Sequence, residues 1–205
     1  INYLENKEMK KGTIITIVVI GIVVLMVARY GISANNNMVE KQEGVRTAWS
    51  QVENQYQRRA DLIPNLVNTV KGYATHEEQT LTNVIEARAK ATQVKVDPDQ
   101  LTDEALQKYM ASQNNLSQAL GRLMVVAEQY PELKANENFQ MLQTQLEGTE
   151  NRITTERQRF NETAKEYNIY IRKFPRNIFA GILGFKPQAY FESIAGAEVA
   201  PVVAF

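Results

Sequence analysis

The sequence has no cysteine, one histidine and one tryptophan, and its charges cancel, with Lys+Arg and Asp+Glu each numbering 23. Each shortage removes a class of reading. Without cysteine there is no disulfide framework, no thiol nucleophile and no lipid-modified cysteine anchor. With a single histidine, a zinc site of the usual His/Cys type is not expected. The balanced charge provides no large field to attract nucleic acid. Glycine and proline number only 10 and 6 and cluster at a few points, which leaves room for long helices between them. No Ser/Gly linker, low-complexity tract or internal repeat stands out.

What the sequence does have is an apolar run, GTIITIVVIGIVVLMVA, at residues 12–28, flanked by Lys10 and Lys11 before and by Arg29 and Tyr30 after. At about 1.5 Å per residue it measures about 25 Å, and about 30 Å if it continues through Ile32 with Arg29 snorkelling outward. The run is apolar on every side and longer than a usual signal-peptide core, so it reads as a retained membrane span. Lys7, Lys10 and Lys11 precede it, and positive-inside counting favours a cytoplasmic N-terminus and an exported body.

Beyond the span the apolar residues recur in steps of four and three. One series is Val45, Trp49, Val52, Tyr56, Arg59, Ile63, Leu66 and Val70. A second, shorter one runs Leu81, Ile85, Arg88 and Thr92. A third is Leu106, Tyr109, Gln113, Leu116, Leu120, Leu123, Ala127 and Tyr130. The fourth begins Phe139, Leu142, Leu146, Thr149, Ile153, Glu156 and Phe160, then continues through Thr163, Tyr167, Tyr170 and Phe174. A mean step of 3.5 is the seam of a coiled coil or bundle. The expectation is an all-α fold, in which a transmembrane helix continues into an antiparallel four-helix, coiled-coil-like bundle followed by an apolar C-terminal segment.

Punctuation sets the boundaries. Thr75 and Glu78 form a capping-box pattern that predicts a helix start near His76, with Glu77 and Glu78 in its first turn, where they favourably face the macrodipole. Pro98 breaks the chain, Thr102 and Asn136 are N-cap candidates, and Pro131 and Pro175 close helices. Pro64 predicts a kink or local break. The organisation expected is a short basic flank over 1–11, a transmembrane helix over 12–32, and a bundle over 33–174. The bundle helices fall at about 35–71, 76–92, 103–129 and 137–174, with an apolar C-terminal segment and tail over 175–205.

No catalytic constellation is read. His76-Glu77-Glu78 lacks the second histidine one turn on that a zinc helix needs. Neither a nucleophile elbow nor a phosphate loop occurs, and no cofactor is expected. Two other features stand out. Arg59 and Arg88 sit on apolar stripes; each either snorkels to the bundle edge or forms a structural ion pair with Glu150 or Glu156 that fixes helix register. The second is the cluster Phe174, Ile178, Phe179, Ile182, Leu183, Phe185, Tyr190 and Phe191. It offers more apolar surface than water tolerates, and with the terminal Phe205 it is a candidate interaction surface. It could cap the bundle, meet another subunit, or lie at the membrane interface with Arg176 and Lys186.

Two blocks, QRRADLIPNLVNTVKGYATHEEQTL (57–81) and YPELKANENFQMLQTQLEGTENRI (130–153), resemble signature blocks of the LemA family. So do YNIYIRKFPRNIFAGILGFKPQAYFE (167–192) and the ending GAEVAPVVAF from Gly196. The resemblance implies an N-terminally anchored helical bundle of a bacterial membrane and, against the charge count, a cytoplasmic body; it implies no activity. Because Glu150 lies within the family-like TEN block (149–151), it is preferred over Glu156 as the ion-pair partner. The function expected is a membrane-anchored structural or scaffolding protein, not an enzyme, that self-associates through its helices and C-terminal segment. Its expected partners are membrane lipid, further copies of itself and a possible membrane protein, with no nucleic acid. One alternative is an adaptor that binds a membrane protease or other partner through its tail. Another is an exported ligand-sensing bundle.

Overall fold

The structure is a computed structural model describing residues 2–74, 76–99 and 101–192, with side chains described from residue 12 onward. It is all-α, and no strand occurs among the described residues. The helices are α1 (Asn2–Lys71), α2 (Glu78–Gln93), α3 (Asp103–Ala127), α4 (Pro131–Lys134), α5 (Glu137–Arg172) and α6 (Arg176–Leu183). Two compact units result: Ile1–Gln42 with Tyr167–Pro187, and Glu43–Glu166 with Gln188–Phe205.

The first unit contains the apolar run, whose large side chains between Ile14 and Val27 all stand exposed. Among the described residues, α1 is the one helix long and apolar enough to cross a membrane. Also in this unit, α6 follows Pro175 and ends at Gly184. That residue takes a left-handed conformation (φ 81°), with Phe185 N–H donating to the Ala180 carbonyl at 3.0 Å. A glycine just past the last helical residue adopts this geometry without a Cβ penalty. Tyr167 is buried and donates its hydroxyl to the Lys186 carbonyl at 3.0 Å, which ties the chain after α6 to α5.

The second unit is the bundle. Pairings along α1 give its topology. Trp49, Arg59 and Tyr73 meet Phe160, Glu150 and Asn136 in turn, so α1 and α5 run antiparallel. Trp49 and Arg59 meet Tyr109 and then Gln113 and Ser117, so α3 runs with α1. Ala91 meets Gln113 while Glu77 meets Tyr130, so α2 opposes α3. A continuous apolar core lies between Ile63–Val70 of α1, Leu81 and Val84 of α2, Leu116–Leu123 of α3 and Phe139–Leu146 of α5. Burying each Leu, Ile or Phe there contributes about 1.5–3 kcal/mol.

The seams on α1 and α3 lie where the periodicity puts them: all eight α1 positions are buried, as are the α3 positions from Leu106 to Ala127. Two stripes differ. On α5 the buried line beyond Phe160 runs through Ala164, Tyr167 and Ile171, while Tyr170 is half-buried and Phe174 exposed. A helix of 3.6 residues per turn drifts off a strict 3.5 repeat by about 20° per heptad, which accounts for the one-residue slip. On α2 the buried line is Leu81, Val84 and Ala91; Ile85 and Thr92 face outward.

Element ends also differ from expectation. α1 is unbroken from Asn2 to Lys71: the apolar run continues into the first bundle helix, in keeping with the lack of a breaker between them, and the helix extends back over residues 2–11. No local break occurs at Pro64, for a reason given below. α2 begins at Glu78, not near His76; its N-cap is Glu77, which makes no side-chain capping bond but accepts from the Tyr130 hydroxyl at 3.3 Å. Thr75 lies outside the described residues. Thr102 caps α3 by accepting from Ala105 N–H at 3.2 Å, and Asn136 caps α5 by accepting from Phe139 N–H at 3.0 Å. α3 stops at Ala127, and Pro131 opens α4, where its missing N–H is not needed.

Candidate functional site

Within the bundle the polar groups converge on Arg59. The residue is 1% exposed, held on the inner face of α1 by the apolar turns at Tyr56 and Ile63. Its Nη1 donates to Glu150 Oε1 at 2.6 Å and to Ser117 Oγ at 2.8 Å. Its Nη2 donates to Gln113 Oε1 at 2.7 Å and to the Gln113 carbonyl at 3.1 Å. Nε has no hydrogen-bond partner, and the Tyr56 ring centroid lies 5.0 Å from the guanidinium carbon. Gln113 in turn donates from Nε2 to the Ala91 carbonyl at 3.3 Å. One buried cation thus ties α1 to α3 and α5 directly and to α2 through Gln113. Such a layer favours one alignment of the four helices, since sliding α1, α3 or α5 costs the buried guanidinium its partners and sliding α2 breaks the Gln113–Ala91 bond.

Arg88 does something else. Its Nε donates to the Ala60 carbonyl at 2.7 Å. Residue 64 is the one whose N–H would serve that carbonyl in an α-helix, and residue 64 is proline. Arg88 of α2 therefore supplies the donor that Pro64 lacks, and α1 passes through the proline without a local break. Glu156 stays apart from the cluster and bonds Arg159 on its own helix at 3.1 Å. Of the four charged residues the sequence singles out, the structure joins Arg59 with Glu150, sends Arg88 to a backbone carbonyl and leaves Glu156 local. Gln113 and Ser117 belong to the site but were not singled out; Gln113's place on the α3 seam was the signal.

Next to this layer lies an aromatic one. Trp49 is flanked by Tyr109 at 5.2 Å, Phe160 at 5.8 Å and Phe191, nearly parallel, at 5.9 Å. Burial pushes the hydroxyls of Tyr109 and Tyr56 above the usual phenol range. Phe191 is held by its backbone as well: Asn161 accepts from its N–H and donates to its carbonyl, both at 2.8 Å. Arg157 lies over its ring at 4.8 Å and donates to the Glu192 carbonyl at 3.0 Å. Phe191 is thus core, not interaction surface. It is 5% exposed and packs against Trp49 and Phe160. Of the remaining cluster, Phe174, Ile178, Ile182, Leu183 and Tyr190 are exposed, Phe179 and Phe185 are partly buried, and Phe205 lies outside the described residues. Among the described residues, no group of three His, Cys, Asp or Glu side chains is placed to hold a metal ion.

A family profile described as LemA family matches residues 48–205, the stretch that carries both layers. The chain belongs to the LemA family. Among relatives of this LemA-family chain, magnetosome protein MamQ 2 of Paramagnetospirillum magneticum is 30% identical over 191 residues, covering 85% of this chain and 68% of the relative. Magnetosome protein MamQ of Magnetospirillum gryphiswaldense is 30% identical over 173 residues, covering 76% and 64%. Protein LemA of Metamycoplasma hominis is 23% identical over 162 residues, covering 79% and 70%. None of these names is that of an enzyme. The buried layers of the LemA-family bundle face inward; on the outside a groove of about 230 Å³ runs between α3 and α5, lined by Ser117, Leu120, Gly121, Met124, Leu146 and Glu150 among others.

Proposed function

We propose that this LemA-family chain is a membrane-anchored structural protein that acts by assembling with further copies of itself, not by catalysis. The observation that carries the reading is the Arg59 layer. The most concentrated set of polar contacts in the bundle is spent on holding four helices in one register. A catalytic centre needs groups aimed at a substrate; here they are aimed at one another. The apolar, exposed stretch of α1 supplies the anchor. The groove between α3 and α5 supplies a contact face, and Val125 and Met141 on the same two helices are also exposed. A fixed-register bundle with an apolar groove suits repeated side-by-side contact in a membrane.

The test is native mass analysis and cross-linking of the full chain in nanodiscs, beside a Met124→Asp variant. Assembly of the parent, weakened by Met124→Asp at unchanged helicity, is the expected result. A monomeric parent at micromolar concentration would remove self-association from the reading.

A further inference from the structure

The first unit pairs two features that the bundle does not use. Within α6 and its flanks, Phe174 is 81% exposed and Ile182 78%, with Ile178 and Leu183 about half exposed. The same stretch, 167–187, contains Arg172, Lys173, Arg176 and Lys186 and no aspartate or glutamate, in a chain whose overall charge is zero. Arg176 stacks on Tyr170 at 4.1 Å, so one of these cations is fixed in place.

Phe179, on α6, packs against Tyr30 of α1 with ring centroids 5.7 Å apart. It also fills the space beside Gly31, where a Cβ would stand 2.8 Å from Phe179 Cε1. Gly31 lies about 4.5 Å along the helix from residue 28, the last residue of the apolar run. α6 is therefore held at the level where α1 leaves the hydrocarbon, beside Arg29 and Tyr30. An apolar face with basic flanks at that depth matches the headgroup region of a bilayer.

We infer that α6 is an interfacial element, its exposed face inserted among the headgroups of an anionic bilayer beside the exit of α1. The inference rests on reading α1 as the membrane anchor. A second copy of the chain is the poorer occupant, because two such faces would bring their basic residues together with no acid to offset them. Anionic headgroups meet the same cations favourably, and the membrane is already adjacent.

The absence of cysteine makes the test clean in the full-length chain. Spin labels are placed by Ile182→Cys, Val19→Cys and Glu147→Cys, and the proteins are reconstituted in nanodiscs of phosphatidylcholine with and without phosphatidylglycerol. Accessibility is read to oxygen, which enters lipid, and to a nickel chelate, which stays in water. The label at 182 should resemble that at 19, with an oxygen-to-nickel ratio several-fold above that at 147. Phosphatidylglycerol should raise the ratio, and the triple change Arg172→Gln, Lys173→Gln, Lys186→Gln should abolish that rise. A nickel-accessible label at 182 overturns the inference, and so does one closed to both reagents, which would mean protein covers the face. Equal ratios in neutral and anionic discs overturn its anionic part. A water-exposed label at 19 would instead sink the anchor reading itself.

Discussion

Two ion pairs join separate segments of the bundle at nearly equal distance: Arg46 Nη2 to Asp99 Oδ2 at 2.5 Å and Arg59 Nη1 to Glu150 Oε1 at 2.6 Å. Their surroundings differ. Arg46 and Asp99 are 39% and 48% exposed, whereas Arg59 is 1% exposed and Glu150 46%. Arg46 bonds only carboxylates, Asp99 and its helical neighbour Glu43, and water can replace either. Arg59 bonds a carboxylate, a hydroxyl, an amide oxygen and a backbone carbonyl, and its guanidinium is buried although Glu150 and Ser117 reach the surface. Length thus says little about what a pair holds together. The number of groups stranded when it breaks says more.

The strongest way to break this contrast is Glu150→Ala, which leaves the buried guanidinium without its counter-charge. The expected cost lies toward the lower end of about 3–5 kcal/mol, since Glu150 is itself half exposed. Arg59→Met keeps the volume and strands only the buried Gln113 oxygens, since Ser117 is exposed and Glu150 half exposed, for about 1–3 kcal/mol. In the double variant the two losses should fall well short of their sum, as measured by urea unfolding of the reconstituted chain.

Arg88 offers a sharper test of the same idea. Arg88→Ala should cost about 1–3 kcal/mol by leaving the Ala60 carbonyl without a donor. In a Pro64→Ala background the restored N–H serves that carbonyl, and the penalty for Arg88→Ala should shrink. An undiminished penalty would mean that Arg88 acts through something other than the proline gap.

A smaller effect is expected from pH. Burial raises the phenol pKa of Tyr109 and Tyr56 above their ordinary value of 10.0, with Tyr56 and Glu53 adding to the rise at Tyr109. A group whose folded pKa is raised stabilises fully below its unfolded value, and that contribution is lost as pH climbs beyond it. Stability should therefore be flat up to about pH 10 and decline above it. The decline should flatten in the Tyr56→Phe, Tyr109→Phe variant, followed by urea midpoints at stepped pH. Smallest of all should be Arg46→Ala, which should leave the melting midpoint within error at physiological salt.

The helical class and the buried faces of α1 and α3 were legible in spacing alone, because apolar residues at 3.5-residue steps have few other places to go. Arg59 was visible as a cation on such a face. Its partner was harder to read from spacing: Glu156 lay on the α5 seam and Glu150 one position off it, and Glu150 was preferred only for its place in the family-like TEN block; the alignment of α1 with α5 joins Arg59 to Glu150. The role of Arg88 was hidden for another reason. Its acceptor is a main-chain carbonyl, and the need for it arises from Pro64, two dozen residues away on another helix. Phe191 looked like one aromatic among several because composition does not show which of them meets Trp49. The slip on α5 and the outward turn of Ile85 are drifts of helical phase, which a fixed repeat does not carry.

The stacking of Trp49 on Phe191 has an optical consequence. The chain's one indole is 1% exposed, ringed by aromatic side chains, and its Nε1–H has no acceptor among the described residues. Its emission should be blue-shifted as long as the segment around Phe191 sits in place, and should move to longer wavelength when that segment leaves and water enters. Intrinsic fluorescence therefore reads the seating of residues 188–192 in the unmodified protein, without a label.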